Sequence, residues 1–205
     1  FCLKLLRQEK FPYPNFTIYD EDDRRSLIKD VLRESGQDKA VKPASLAEHI
    51  SKAKNELIGP KQYALWAESP VPEQAPYNNK LYTGQARYGA SEYERKIILP
   101  LYQRYQEKLT TASALDFDDL LLQAVNLFKT QEKQHRQGYR HPDPGPDPGE
   151  GSPKMNLILE KYQNQYQHIL VDEYQDVNTA QYQLLKFLAD GHKNICVVGD
   201  VDQAI

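Results

Sequence analysis

Apolar positions recur at three- and four-residue spacing through the first two-thirds of the chain, and that spacing predicts helices. Leu27, Ile28, Val31 and Leu32 share one helical face. The acidic run Asp20-Glu21-Asp22-Asp23 before them suits a helix N-terminus, and Gly36 stands as the stop. Ser45-Leu46-Ala47-Glu48 has capping-box form and leads into Ile50, Ala53 and Leu57 before Gly59-Pro60 ends the run. Ser91-Glu92-Tyr93-Glu94 repeats the signature and opens a helix carrying Ile97, Leu101, Tyr105 and Leu109, with a kink expected at Pro100. Asp116 suits the cap of a further helix whose stripe is Phe117, Leu121, Ala124, Val125 and Phe128. Residues 69–89, rich in Pro, Asn and Gly, predict loop. So does HPDPGPDPGEGSP at 141–153, which sustains neither helix nor strand ladder and reads as an inert surface insertion, with a polyproline ligand as the alternative.

The last forty residues change period. His168-Ile169-Leu170-Val171 and Ile195-Cys196-Val197-Val198 are short apolar runs rich in β-branched residues. Between them Asn178 caps a predicted helix with Ala180, Leu184, Leu185 and Leu188. Strand, helix and strand at this length make a βαβ unit and a parallel sheet. The fold class expected is therefore α/β with a mainly helical portion. Both strands run into acids, Asp172-Glu173 and Asp200-Val201-Asp202, and open parallel sheets bind ligands beyond the carboxyl ends of their strands.

Composition narrows the classes. The 205 residues carry 26 basic and 29 acidic side chains, a formal charge of −3. A dedicated nucleic-acid-binding domain shows basic excess, so affinity for DNA must come from a local patch. Two distant cysteines, Cys2 and Cys196, give neither a disulfide framework nor zinc spacing and fit a reducing cytoplasm. No run approaches the ~20 apolar residues of a membrane span. Phe1 to Leu6 is too short for a signal peptide, and the missing initial Met is expected of a segment from a longer chain.

Asp172-Glu173 carries the chemistry. Nucleotide hydrolysis needs one carboxylate to hold hydrated Mg²⁺ and another to orient or deprotonate the attacking water. A bare Asp-Glu pair at a strand end is ordinarily just solvated. The longer string Val171-Asp172-Glu173-Tyr174-Gln175-Asp176-Val177-Asn178 resembles the second helicase motif of the UvrD/PcrA/Rep group of superfamily 1. Val197 to Ile205 is similar to the front of that family's third motif, and Ala114-Leu115-Asp116-Phe117-Asp118-Asp119-Leu120-Leu121 to its aspartate-rich helix start. Weaker likenesses are Ile50 to Leu57 and Phe1 to Arg7, the latter similar to the tail of a DNA-contacting motif.

The resemblance implies that Asp172 binds Mg²⁺, Glu173 activates water, and Gln203 senses the γ-phosphate and couples it to DNA. It implies that Gln175 and Asp176 support the nucleotide site and its link to the neighbouring motif. Val201 and Ala204 depart from the family's usual acid and Ser, and an altered network is expected around Gln203. A larger departure is the absence of any G-x-x-x-x-G-K-[ST] in the 205 residues. That loop cradles the phosphates, so the chain by itself is expected not to hydrolyse ATP, and its sheet is expected to expose an unpaired edge.

By the same resemblance, residues 1–14 open a RecA-like motor domain (a partial P-loop NTPase sheet), 15–110 form a helical insertion, and 111–205 return to the motor. The insertion offers two candidate DNA patches: Lys52, Lys54 and Lys61 with Tyr63 and Trp66, and Arg87, Arg95 and Lys96 with Arg104. Singly, each is more ordinary as a solvated cation or a half-buried aromatic. Implied partners are ATP, single-stranded and duplex DNA, and repair proteins. Two other readings stay open: a non-catalytic DNA- or partner-binding module, and the motor part of a helicase–nuclease subunit.

Overall fold

The computed structural model describes residues 1–68, 91–138 and 157–200. The predicted loops at 69–89 and 141–153, and Arg87, Asp202 and Gln203, lie outside the described residues. The fold is α/β, mostly helical with two small parallel sheets. The chain divides into two compact units, one from Tyr13 to Leu122 and the other joining Phe1–Pro12 to the chain from Gln123 onward.

Among the described residues, the first unit is built on four α-helices and the start of a fifth. Asp20 caps α2 (Glu21–Glu34), accepting from the backbone N–H of Asp22 and Asp23 while Asp23 accepts from that of Asp20. Gly36, at φ 66°, leaves the helix in the left-handed region open to glycine. The next helix, α3 (Pro43–Asn55), does not start at the Ser45 box. Lys42 is its N-cap and Pro43 its first residue, because a proline whose φ is already helical and whose N–H is not needed suits that position. Leu57, expected on the stripe of α3, lies past its end at φ 61°. Gly59-Pro60 does close that run, but Pro60 also opens α4 (Pro60–Glu68), which the spacing did not predict.

Ser91 and Glu94 form the predicted capping box. The expected kink at Pro100 is a π-helical turn over Glu94–Ile98, in which the Leu99 N–H reaches back five residues to the Glu94 carbonyl. Pro100 has no N–H to continue the regular ladder, and the wider turn absorbs that loss before α5 (Leu99–Thr111). Ile28, Val31 and Leu32 of α2, Leu46 and Ile50 of α3, Tyr63 of α4, and Leu101, Tyr102, Tyr105 and Leu109 of α5 form one core. Two-residue strands β1 (Thr17–Ile18) and β2 (Ala114–Leu115) pair in parallel beside it. They are too short to show a period in sequence.

The second unit contains α1 (Cys2–Gln8), most of α6 (Phe117–Gly138), α7 (Leu157–Gln165), β3 (Ile169–Val171), α8 (Thr179–Ala189) and β4 (Ile195–Val197). The predicted βαβ unit is present. β3 and β4 pair in parallel with Ile169 opposite Ile195, Leu170 opposite Cys196 and Val171 opposite Val197. Asn178 caps α8, in a box with Gln181. Leu5, Leu6, Val125, Phe128, Tyr162, Ala180 and Leu188 are buried in this unit, and Phe128 lies 6.3 Å from the Tyr162 ring and 5.9 Å from that of Phe187. Phe117 does not join the stripe expected of α6. It is the first residue of the helix and 59% exposed. The strands also depart from a buried parallel sheet: Leu170 is 82% exposed and all of β4 faces solvent.

Candidate functional site

The carboxyl ends of β3 and β4 hold the candidate nucleotide site. Parallel pairing brings both ends to the same edge of the unit, so residues 172–176 and 199–200 meet although about twenty-five positions separate them. The ladder continues past the strands: Val198 N–H donates to the Val171 carbonyl at 2.8 Å, and Tyr174 N–H to the Val198 carbonyl at 3.0 Å.

Asp172 and Glu173 are both exposed at this edge. One Asp172 oxygen accepts the Glu173 N–H at 2.9 Å. Glu173 turns the chain with φ 50° and ψ 45°, a left-handed conformation that costs a side-chain-bearing residue about 1–3 kcal/mol. This sharp turn separates the directions of the two neighbouring side chains. A single 3₁₀ turn, Tyr174–Asp176, follows, and Asp176 N–H donates to the Glu173 carbonyl at 2.9 Å. Gln175 is half-buried and bridges the two strand ends. Its Nε2 donates to Glu173 Oε2 at 2.5 Å and its Oε1 accepts the Asp200 N–H at 3.0 Å. Gly199, which sequence reasoning passed over, stands against this bridge. A Cβ there would lie 2.8 Å from Gln175 Oε1 and 3.3 Å from the Tyr174 backbone nitrogen.

The candidate DNA residues fall apart into surface and core. Lys52, Lys61, Arg95 and Lys96 are exposed, with Lys96 paired to Glu92 at 2.6 Å. Trp66 is half-buried, edge-on to Tyr63 at 5.1 Å. Tyr63 is itself buried, and burial foremost pushes its hydroxyl pKa well up.

Lys54 corrects the expectation most sharply. It is 0% exposed, and its Nζ sits 2.7 Å from Asp116 and 2.8 Å from Asp119, so it is no part of a surface patch. A buried ammonium is retained only when paired. Its place was readable, because position 54 shares a helical face with Leu46, Ile50 and Ala53, all buried.

Asp116 and Asp119 are buried with it, and Asp119 N–H donates to Asp116 at 2.7 Å to cap α6. Tyr105 donates its hydroxyl to Asp116 at 2.8 Å, and Gln106 its amide to Asp119 at 3.1 Å. Burial opposes charge on both acids. At Asp116, Lys54, the Asp119 N–H and the Tyr105 hydroxyl together outweigh it and hold the carboxyl below the usual range. At Asp119, burial assisted by the Asp116 charge prevails over Lys54 and lifts the carboxyl above it.

Comparison with known proteins identifies the family. The sequence model of the UvrD/REP helicase N-terminal domain matches residues 1–205. The ATP-dependent DNA helicase PcrA of Staphylococcus aureus is 36% identical over 208 residues, covering 100% of this chain and 22% of that protein. PcrA of Staphylococcus epidermidis matches with the same identity and coverage. The chain thus spans about a fifth of the length of these relatives. With a family match over its whole length and motif carboxylates gathered at the ends of two parallel strands, the chain belongs to the UvrD/REP helicase family, in its N-terminal domain.

Proposed function

We propose that this chain is part of an ATP-dependent DNA helicase motor, which couples ATP hydrolysis to translocation on single-stranded DNA and to duplex unwinding in cytoplasmic DNA repair or replication. The observation that carries the reading is the exposed Asp172-Glu173 pair at the carboxyl end of β3, tied to the end of the parallel neighbour β4.

Glu173 is the base, orienting the attacking water and taking its proton. Asp172 would hold the Mg²⁺ ion. The donor fits that ion: Asp172 is an exposed carboxylate at the strand end, and Mg²⁺ at a phosphate site is held by one or two carboxylates together with waters and phosphate oxygens. When bound, it neutralises charge on the phosphate oxygens. Gln203 reports the γ-phosphate, with Gln175 and Asp176 supporting the nucleotide side. The phosphate-binding loop and second motor domain come from outside the 205 residues.

Residues 1–14 and 111–205 serve as the RecA-like motor and 15–110 as the helical insertion. In the insertion Lys52, Lys61, Arg95 and Lys96, together with Arg87, contact DNA phosphates through a salt-sensitive, sequence-independent attraction. Repair proteins are further partners. Among the described residues no helix is long and apolar enough to cross a membrane.

The test is Mg²⁺-dependent ATP hydrolysis by the full-length protein, with and without single-stranded DNA, alongside unwinding of a tailed duplex. DNA-stimulated hydrolysis with unwinding supports the proposal. DNA binding without hydrolysis would replace the motor with a binding module.

A further inference from the structure

Past the Tyr174–Val198 bond no further backbone rung of the β3–β4 ladder is present among the described residues, and the side chain of Gln175 supplies the next one. Its carbonyl takes the Asp200 N–H that a continuing strand would have taken. Its Nε2 end points back along the 3₁₀ turn, where it meets Glu173 Oε2. The same amide thus reads the position of β4 at one end and holds the carboxylate at the other. Gly199 leaves the space the bridge needs, since its missing Cβ is the atom that would collide with Gln175 Oε1.

We infer that Gln175 is a positioning residue for Glu173, and that Gly199 is required to seat it. The inference rests on the reading of Glu173 as the base in ATP hydrolysis. An exposed glutamate has many rotamers, and one fixed hydrogen bond from an anchored amide restricts them. Glu173 as a whole stays exposed to solvent. Because Gln175 acts on orientation rather than on nucleotide affinity, its loss lowers turnover and leaves binding in place.

The experiment is steady-state, DNA-stimulated ATP hydrolysis by the full-length protein and its Gln175→Ala, Gln175→Glu, Gly199→Ala and Glu173→Gln variants, with thermal unfolding of each. Gln175→Ala is expected to lower kcat about 10- to 100-fold, with the KM for ATP held within about twofold. Gln175→Glu keeps the shape but removes the donor and sets a second negative charge against Glu173. It should be at least as slow as Gln175→Ala, whereas a residue that merely filled space would be rescued by it. Gly199→Ala pushes the bridge apart from the other strand and should slow turnover in the same direction without touching Gln175. If Glu173→Gln abolishes hydrolysis while both Gln175 variants keep kcat within about twofold of the parent, the inference is overturned and the helicase reading survives. If Glu173→Gln itself hydrolyses normally, the reading beneath the inference fails.

Discussion

Asp116 and Asp119 are 1% and 0% exposed, with the Lys54 ammonium between them; Asp172 and Glu173 lie open to solvent at a strand end. Both pairs open a helical turn with an acid's oxygen accepting a nearby backbone N–H. Their surroundings separate them. The first pair has its charge answered inside the protein, by Lys54, Tyr105 and the cap, which makes it part of the architecture. The second is held by Gln175 and backbone alone among the contacts described, so its charge is available to a ligand. Identical functional groups become structure or chemistry according to what faces them.

Removing the buried cation should do the most damage. Lys54→Met leaves two carboxylates in the core without their counter-ion and should cost about 3–5 kcal/mol of stability in urea unfolding. A loss below about 1 kcal/mol would erase the contrast between the pairs, since that is the scale of an exposed ion pair. Tyr105→Phe removes one hydrogen bond to a buried carboxylate and should cost about 1.5–3 kcal/mol by the same measurement.

The two buried acids should also carry opposite pH signatures. The depressed Asp116 contributes stability above the unfolded carboxylate range, and that contribution disappears as pH falls through its lowered value. The raised Asp119 contributes below the unfolded range and loses its contribution as pH rises through its lifted value. Urea unfolding across pH should show Asp116→Asn suppressing the acid-side loss and Asp119→Asn flattening the decline on the higher side. Identical profiles for the two variants would contradict the assignment. The smallest effect is expected on the surface, where Lys96→Ala breaks only the i,i+4 pair with Glu92 and should change stability by about 0.3–0.5 kcal/mol.

What sequence could show follows the same division between local and long-range causes. The helix start within the acidic run at Asp20 and the caps at Ser91 and Asn178 were legible because a few adjacent residues decide them. The βαβ unit was legible from its change of period. Ser45 misled because its letters match a capping box while Pro43 had already set the helix start. Lys54 misled because residue type was weighed above face: a lysine beside Ile50 and Ala53 on a buried stripe is a core residue once Asp116 and Asp119, more than sixty positions away, fold against it. At the candidate site, Asp172 and Glu173 were read from their motif and strand end. The Gln175–Asp200 bond and the space at Gly199 depend on strand register, which no local pattern reports.

The most direct test of the contrast is single-stranded-DNA-stimulated ATP hydrolysis by the full-length Glu173→Gln protein, with its unfolding followed in parallel. Hydrolysis should fall about 10²- to 10⁴-fold, with stability within about 0.5 kcal/mol of the parent. Undiminished hydrolysis, or a loss explained by unfolding, would contradict the account of Asp172 and Glu173 as the chemical pair.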